Sequence, residues 1–183
     1  MEIELVIPQA EHRAQVEDYK RKFLASVKSG GSINGVGRLS ELEFDEWLKE
    51  CHDQMHGRNL PEGFVPATMF LGIRKSDGKL VGTIHVRHAL TSHLEEIGGH
   101  IGYGVAPDER RKGYATQMTQ LALEKCRELG IDRVRITCLD NNIASEKVIE
   151  KCGGIFDGTA TEKSGKYAGR TLKRYWVELG GGA

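Results

Sequence analysis

Apolar residues set the first elements of the chain. Residues 2–7 alternate Glu2, Glu4 with Ile3, Leu5 and Ile7, which predicts a strand ended by Pro8. From Glu11 to Ser29 the apolar positions are Val16, Tyr19, Phe23, Leu24 and Val27, three or four residues apart, the spacing of an amphipathic helix. The glycine-rich run from Gly30 to Gly37 breaks it as a loop. Ser40 is then the expected N-cap of a second helix carrying Phe44, Trp47, Leu48, Cys51 and Met55 on one stripe. After a Pro- and Gly-rich loop from Gly57 to Pro66, two strand-like runs, Ala67 to Arg74 and Leu80 to Leu90, flank Ser76-Asp77-Gly78 and predict an antiparallel hairpin.

The second half alternates strands and helices. Thr91 to Gly99 reads as a loop or a short helix, and His100 to Val105 as a strand. A helix is expected from near Lys112 to Leu129, with Ala115, Met118, Ala122, Cys126 and Leu129 inward and Gly130 as its stop. Arg133 to Leu139 alternates Val134, Ile136 and Cys138 against Arg135 and Thr137, a strand leading through Asp140-Asn141-Asn142 into another helix closed by Gly153-Gly154. A short strand from Ile155 to Thr159, a loop centred on Ser164-Gly165 and a last strand from Thr171 to Leu179 complete one domain over residues 1–179. The tail 180–183 is expected to be disordered.

Composition narrows the function classes. The 183 residues suffice for one self-supporting core, and 26 basic against 26 acidic residues leave no net field favouring nucleic acid or a membrane surface. Cys51, Cys126, Cys138 and Cys152 form no Cys-x-x-Cys pair, so neither a zinc knuckle nor a disulfide framework is indicated. The acidic, strand-like N-terminus is unlike a signal peptide, and a soluble cytoplasmic protein is expected. His52 and His56 lie one helical turn apart, but the glutamate of His-Glu-x-x-His is missing, and no metal is expected.

The candidate chemistry lies between the strand and helix of the second half. Arg110, Arg111, Lys112, Gly113, Tyr114, Ala115 and Thr116 stand at a helix start, where unpartnered N–H groups and the positive end of the dipole can receive a phosphate. Gly113 and Ala115 keep side chains out of the way, while the three cations add charge. On the preceding strand His100, Gly102 and Gly104 share a face, so close approach by a ligand, another backbone or a bulge is expected there. No P-loop motif is present, and no Gly-x-Gly-x-x-Gly opens a helix.

The pattern Arg110-x-x-Gly113-x-Ala115 resembles the Gln/Arg-x-x-Gly-x-Gly/Ala signature of the GCN5-related N-acetyltransferases, the GNAT superfamily. Asn142-Ile-Ala-Ser145 through Glu150-Lys151-Cys152-Gly153 is similar to that family's later helix, and Gly-His-Ile-Gly-Tyr with Glu-Arg-Arg-Lys-Gly-Tyr-Ala resembles bacterial predicted acetyltransferases. The resemblance implies an α/β (α+β) fold with a mixed, mostly antiparallel sheet and acetyl-coenzyme A as co-substrate. It implies the pyrophosphate on the backbone of Arg111 to Thr116, the pantetheine arm along Ile101, Tyr103 and Val105, and contacts from Asn142 and Ser145. Acetyl transfer to a primary amine of a small molecule, protein or peptide, by direct attack through a tetrahedral intermediate, is the activity implied.

A base or a water chain must accept the amine's proton, because free lysine-like amines have a pKa near ~10.4. His100 is the candidate base, and the resemblance to Ser-containing relatives implies Ser145, or else solvent, as the acid. Ile149 stands where the family's frequent acid, a tyrosine, would be. That departure keeps a second reading open, a non-catalytic acyl-coenzyme A sensor. Tyr167 and Tyr175 are further acid candidates better read as packing residues, and His85, Arg87, His88, Glu95 and Glu96 could face an acceptor. A homodimer is compatible with the sequence, which does not fix the oligomeric state.

Overall fold

The computed structural model describes residues 1–26, 35–163 and 168–180. Expectations for Val27, Gly30 to Asn34, the Ser164-Gly165 loop, Tyr167 and the last three residues fall outside them. One seven-stranded sheet organises the chain: β1 (Ile3–Val6), β2 (Ala67–Arg74), β3 (Leu80–Arg87), β4 (Ile101–Val105), β5 (Arg133–Leu139), β6 (Ile155–Thr161) and β7 (Thr171–Glu178), in the order β1-β2-β3-β4-β5-β7-β6. Neighbours pair antiparallel everywhere except between β4 and β5, which are parallel. Four helices, α1 (Arg13–Ser26), α2 (Phe44–Met55), α3 (Tyr114–Glu128) and α4 (Ile143–Lys151), flank it.

Side-chain alternation divides the interior into two cores. Met69, Leu71 and Ile73 of β2 face Val16, Tyr19 and Phe23 of α1 and Phe44, Trp47 and Cys51 of α2. Phe70, Ile84, Val86, Ile101 and Ile136 point the other way, against Met118, Ala122 and Cys126 of α3 and Ile149 of α4. Because both faces are covered, β2 and β3 are buried almost from end to end. Glycines bring α3 close: a Cβ on Gly72 or Gly82 would lie 2.7 Å from the Met118 side chain.

Several boundaries differ from the sequence expectation. α1 starts at Arg13 after a 3-10 turn, and Leu24 lies exposed beside its buried stripe. α2 begins at Phe44 with Glu43, not Ser40, at its N-cap. Residues 35–42 instead make turns that bury Val36 and Leu39, and the Trp47 indole N–H donates to the Val36 carbonyl at 2.8 Å. α3 begins at Tyr114, because Gly113 has φ +83°, outside the helical region, and Leu129 at its far end is exposed. The 91–99 segment contains a single π-helical turn, Leu94–Gly98, which packs on β5, β6 and β7.

Candidate active site

The β4–β5 junction is where the sheet comes apart. The two strands share one register pair, Ile101 with Ile136, supported by the His100 N–H to Arg135 carbonyl bond of 2.7 Å. On its other edge β4 is paired with β3 along its whole length. The Arg87 N–H donates to the His100 carbonyl and the Ala106 N–H to the Val81 carbonyl, so even-numbered residues of β4 bond toward β3. By the two-residue period, the backbone groups of Tyr103 and Val105 point to the β5 side, past the last register pair. The strand therefore offers amide groups along an open edge, where an extended chain bearing amides can pair.

The basic turn lies where this edge ends. A 3-10 turn, Pro107–Glu109, leads into Arg110, then Arg111 at φ +65° and Gly113 at φ +83°. Two left-handed residues in such a short span turn successive N–H groups outward. The first helical bond of α3 runs from the Gln117 N–H to the Gly113 carbonyl, and the N-cap has no side-chain capping bond, leaving the N–H groups of Tyr114, Ala115 and Thr116 for a ligand. A Cβ on Gly113 would meet no atom within 4 Å, so the glycine answers its backbone angle and leaves open space in front of the helix. These observations fit a phosphate-bearing ligand at this helix start.

Glu109 holds the turn in place, a role the sequence reading did not assign. Its carboxylate is buried and accepts from Arg74 at 2.9 Å, Lys79 at 2.5 Å and Lys112 at 2.9 Å. Burial alone would raise its pKa; the hydrogen bonds from Lys79 and Lys112 outweigh that and hold it at about 2. Arg74 also donates to the Tyr114 hydroxyl at 3.1 Å, which fixes the first residue of α3. The three cations consequently differ in role. Lys112 is tied to Glu109, the Arg110 guanidinium lies 5.4 Å from the centre of the Phe23 ring, and Arg111 occupies the first left-handed position.

The two candidate catalytic residues lie in unlike surroundings. His100 is buried at the closed end of the β4–β5 opening, and its Nδ1 accepts the Arg135 backbone N–H at 2.9 Å. Burial, with lesser contributions from Arg87 and Arg135, pushes its pKa down to about 4. A neutral imidazole has one acceptor nitrogen, and here it is engaged by the Arg135 N–H, which leaves Nε2 as the donor. Ser145 is half-buried in the first turn of α4: its N–H donates to the Asn142 side-chain oxygen at 3.1 Å, and its hydroxyl lies 2.7 Å from the Tyr103 hydroxyl. Asn142 thus caps α4. Ile149 is fully buried in the core.

Glu95 and Glu96 are exposed, while the other described candidates are held in structural contacts. His85 faces Gln54 of α2 at 3.2 Å with its pKa lowered by burial to about 3, His88 bonds Thr68 at 2.8 Å, and Arg87 donates to the Gly99 carbonyl at 2.8 Å. His52 bonds the Pro8 carbonyl and His56 the His52 carbonyl. The Tyr175 hydroxyl donates to Glu146 at 2.8 Å, a packing role. Close approach to β4 is required of Gly35, where a Cβ would lie 2.5 Å from the Tyr103 Cα, whereas a Cβ on Gly102 would meet the Gly35 Cα at an ordinary 4.0 Å.

A mixed, mostly antiparallel sheet flanked by helices is the fold the resemblance implies, and here it opens between its two parallel strands beside the uncapped start of α3. A family model described as the acetyltransferase (GNAT) domain matches residues 12–155, and the chain belongs to that family. It is an acyl-coenzyme A-dependent N-acetyltransferase. A Bacillus subtilis relative, the uncharacterized N-acetyltransferase YnaD, is 28% identical over 130 residues, 63% of this chain and 76% of its own. The fold is shared with RimL, a ribosomal L7/L12 α-N-protein acetyltransferase in complex with coenzyme A, at TM-score 0.71 and 17% identity over 98% of this chain and 95% of the other. It is also shared with a chimera of the Vibrio cholerae spermidine N-acetyltransferase SpeG and hSSAT, at TM-score 0.66 and 13% identity over 98% and 96% of the two chains.

Proposed function

We propose that this enzyme moves the acetyl group of acetyl-coenzyme A to a primary amine by direct attack, with Ser145 assisting departure of the thiolate. The observation that carries this reading is the continuity of the open β4 edge with the uncapped start of α3. The N–H groups from Arg111 to Thr116 receive the pyrophosphate, with Arg110, Arg111 and Lys112 adding positive charge. Tyr103 and Val105 pair with the pantetheine amides, and a backbone N–H near Val105 polarises the thioester carbonyl. The co-substrate supplies an activated acetyl group: the C–N bond forms, the C–S bond breaks, and the proton lost by the amine balances the thiol released. With His100 held neutral and hydrogen-bonded, water carries the amine's proton away.

A primary amine is the acceptor chemistry common to the names of the two structural relatives, one acting on a protein α-amine and the other on spermidine. Among the described residues no helix is long and apolar enough to cross a membrane, and the four cysteines are free. Both observations support a cytoplasmic setting. The test is thiol release from acetyl-coenzyme A across polyamines, amino acids and peptides with free N-termini. Turnover with at least one primary amine is expected, with kcat falling about tenfold to a hundredfold in Ser145→Ala at unchanged acetyl-coenzyme A KM. Micromolar binding of acetyl-coenzyme A without release in the presence of any amine would overturn the reading.

A further inference from the structure

The phenol of Tyr103 joins β4 to α4 across the opening of the sheet. Its oxygen lies 2.7 Å from the Ser145 Oγ and 3.3 Å from the Ser145 carbonyl. A phenol has a single proton to give. The 2.7 Å contact is the usual O–H···O length and either hydroxyl can be its donor; when the phenol donates to Oγ, the serine keeps its own proton for a second acceptor. Once Oγ accepts from Tyr103, the serine's own proton must be directed elsewhere. The Ser145 N–H is occupied by Asn142, and α4 is fixed by that cap, so the hydroxyl has few orientations left.

We infer that Tyr103 is a positioning residue that orients the Ser145 hydroxyl and strengthens it as a donor to the coenzyme A thiolate. This rests on the reading of Ser145 given above. Two hydroxyls in series polarise one another, so the outer one donates more strongly than a lone serine. Burial pushes the Tyr103 pKa up, so the phenol stays protonated at working pH and remains a donor to Oγ. Tyr103 itself needs no contact with the reacting atoms. Ile149, buried at the place of the family's tyrosine, leaves this Tyr103–Ser145 pair as the hydroxyl arrangement of α4 that reaches β4.

The experiment follows the ultraviolet absorbance of the thiolate of bound coenzyme A against pH, alongside acetyl-coenzyme A affinity and melting temperature. In the unaltered enzyme the bound thiol is expected to titrate below the about 8.5 of a free thiol. Ser145→Ala should return it toward that value, and Tyr103→Phe should do so in part, with acetyl-coenzyme A Kd within about twofold because the thioester carries no thiolate charge. The double variant should lose no more than Ser145→Ala alone. An unmoved thiol pKa in Ser145→Ala sinks the Ser145 reading itself. A shift in Ser145→Ala with none in Tyr103→Phe overturns only the role of Tyr103. Should Tyr103→Phe fold poorly, 3-fluorotyrosine at 103 keeps the hydroxyl and makes it more acidic; a further lowering of the thiol pKa is expected, and no change overturns the inference.

Discussion

The turn from Glu109 to Thr116 and the gap formed by His100, Tyr103 and Ser145 belong to one site and are built in opposite ways. The turn is a contiguous stretch whose backbone angles, Arg111 at φ +65° and Gly113 at φ +83°, do the work, with a buried carboxylate pinning it to β2 and the β2–β3 turn. The gap is assembled from residues far apart in the chain: His100 meets Arg135, and Tyr103 meets Ser145. Charge orders the first, whereas in the second burial and the nearby cations Arg87 and Arg135 keep His100 neutral. One consequence is that acid should attack the two regions in separate pH windows.

Removing the anchor of the turn should have the largest effect. Glu109→Ala leaves Arg74, Lys79 and Lys112 without their shared acceptor, and a loss of about 2 to 3 kcal/mol is expected in urea unfolding, less than for a fully buried pair because these cations still reach water. Acetyl-coenzyme A affinity, measured by calorimetry, should fall about tenfold or more as Lys112 and the Tyr114 end of α3 lose their registration. A variant that melts normally and binds normally would show that the turn holds its shape through its own backbone, and the contrast with the gap would disappear.

Acid unfolding separates the regions next. Glu109 has its folded pKa depressed from 4.5 to about 2, so its contribution is complete above pH 4.5 and fades as pH falls toward 2. His100 and His85 are depressed from 6.5 to about 4 and about 3; they stay neutral in the fold while the unfolded chain takes up protons, so stability declines as pH drops below 6.5. His100→Asn, whose side-chain oxygen can still accept the Arg135 N–H, should flatten the upper window while keeping kcat within about threefold. A loss of a hundredfold in kcat, together with the disappearance of an ionisation near neutrality from its pH profile, would restore His100 as the base.

The same contrast explains what the sequence made legible. Arg110 to Thr116 could be read because a helix start is a local event: a glycine, a basic run and an amphipathic period lie side by side in the chain. The alternation of β5 and the Asp77-Gly78 hairpin were visible for the same reason. Glu109 passed unnoticed as an ordinary charge in a basic turn, since its partners Arg74 and Lys79 sit on either side of a distant turn. His100 read as a base because burial and the Arg135 N–H, which together make it a poor one, come from another strand. Ser40 looked like a cap because the pull of Val36 and Leu39 into the α1–α2 core is a tertiary effect.

The smallest effects distinguish the two left-handed positions of the turn. Gly113→Ala meets no steric obstacle from the protein, so its cost comes from placing a Cβ at φ +83°, about 1 to 2 kcal/mol by the usual penalty for that region. The new methyl also stands in front of the helix start, and acetyl-coenzyme A binding should weaken several-fold beyond the stability loss. Arg111→Gly is the converse: it relieves φ +65° but frees the unfolded chain, and the two terms nearly cancel, leaving melting within about 0.5 kcal/mol of the parent. Loss of the guanidinium should still weaken binding about twofold to fivefold, and the difference should shrink in high salt. If Arg111→Gly instead destabilised the protein as much as Glu109→Ala, the shape of the turn would depend on the arginine side chain, and the backbone could no longer be credited with setting it.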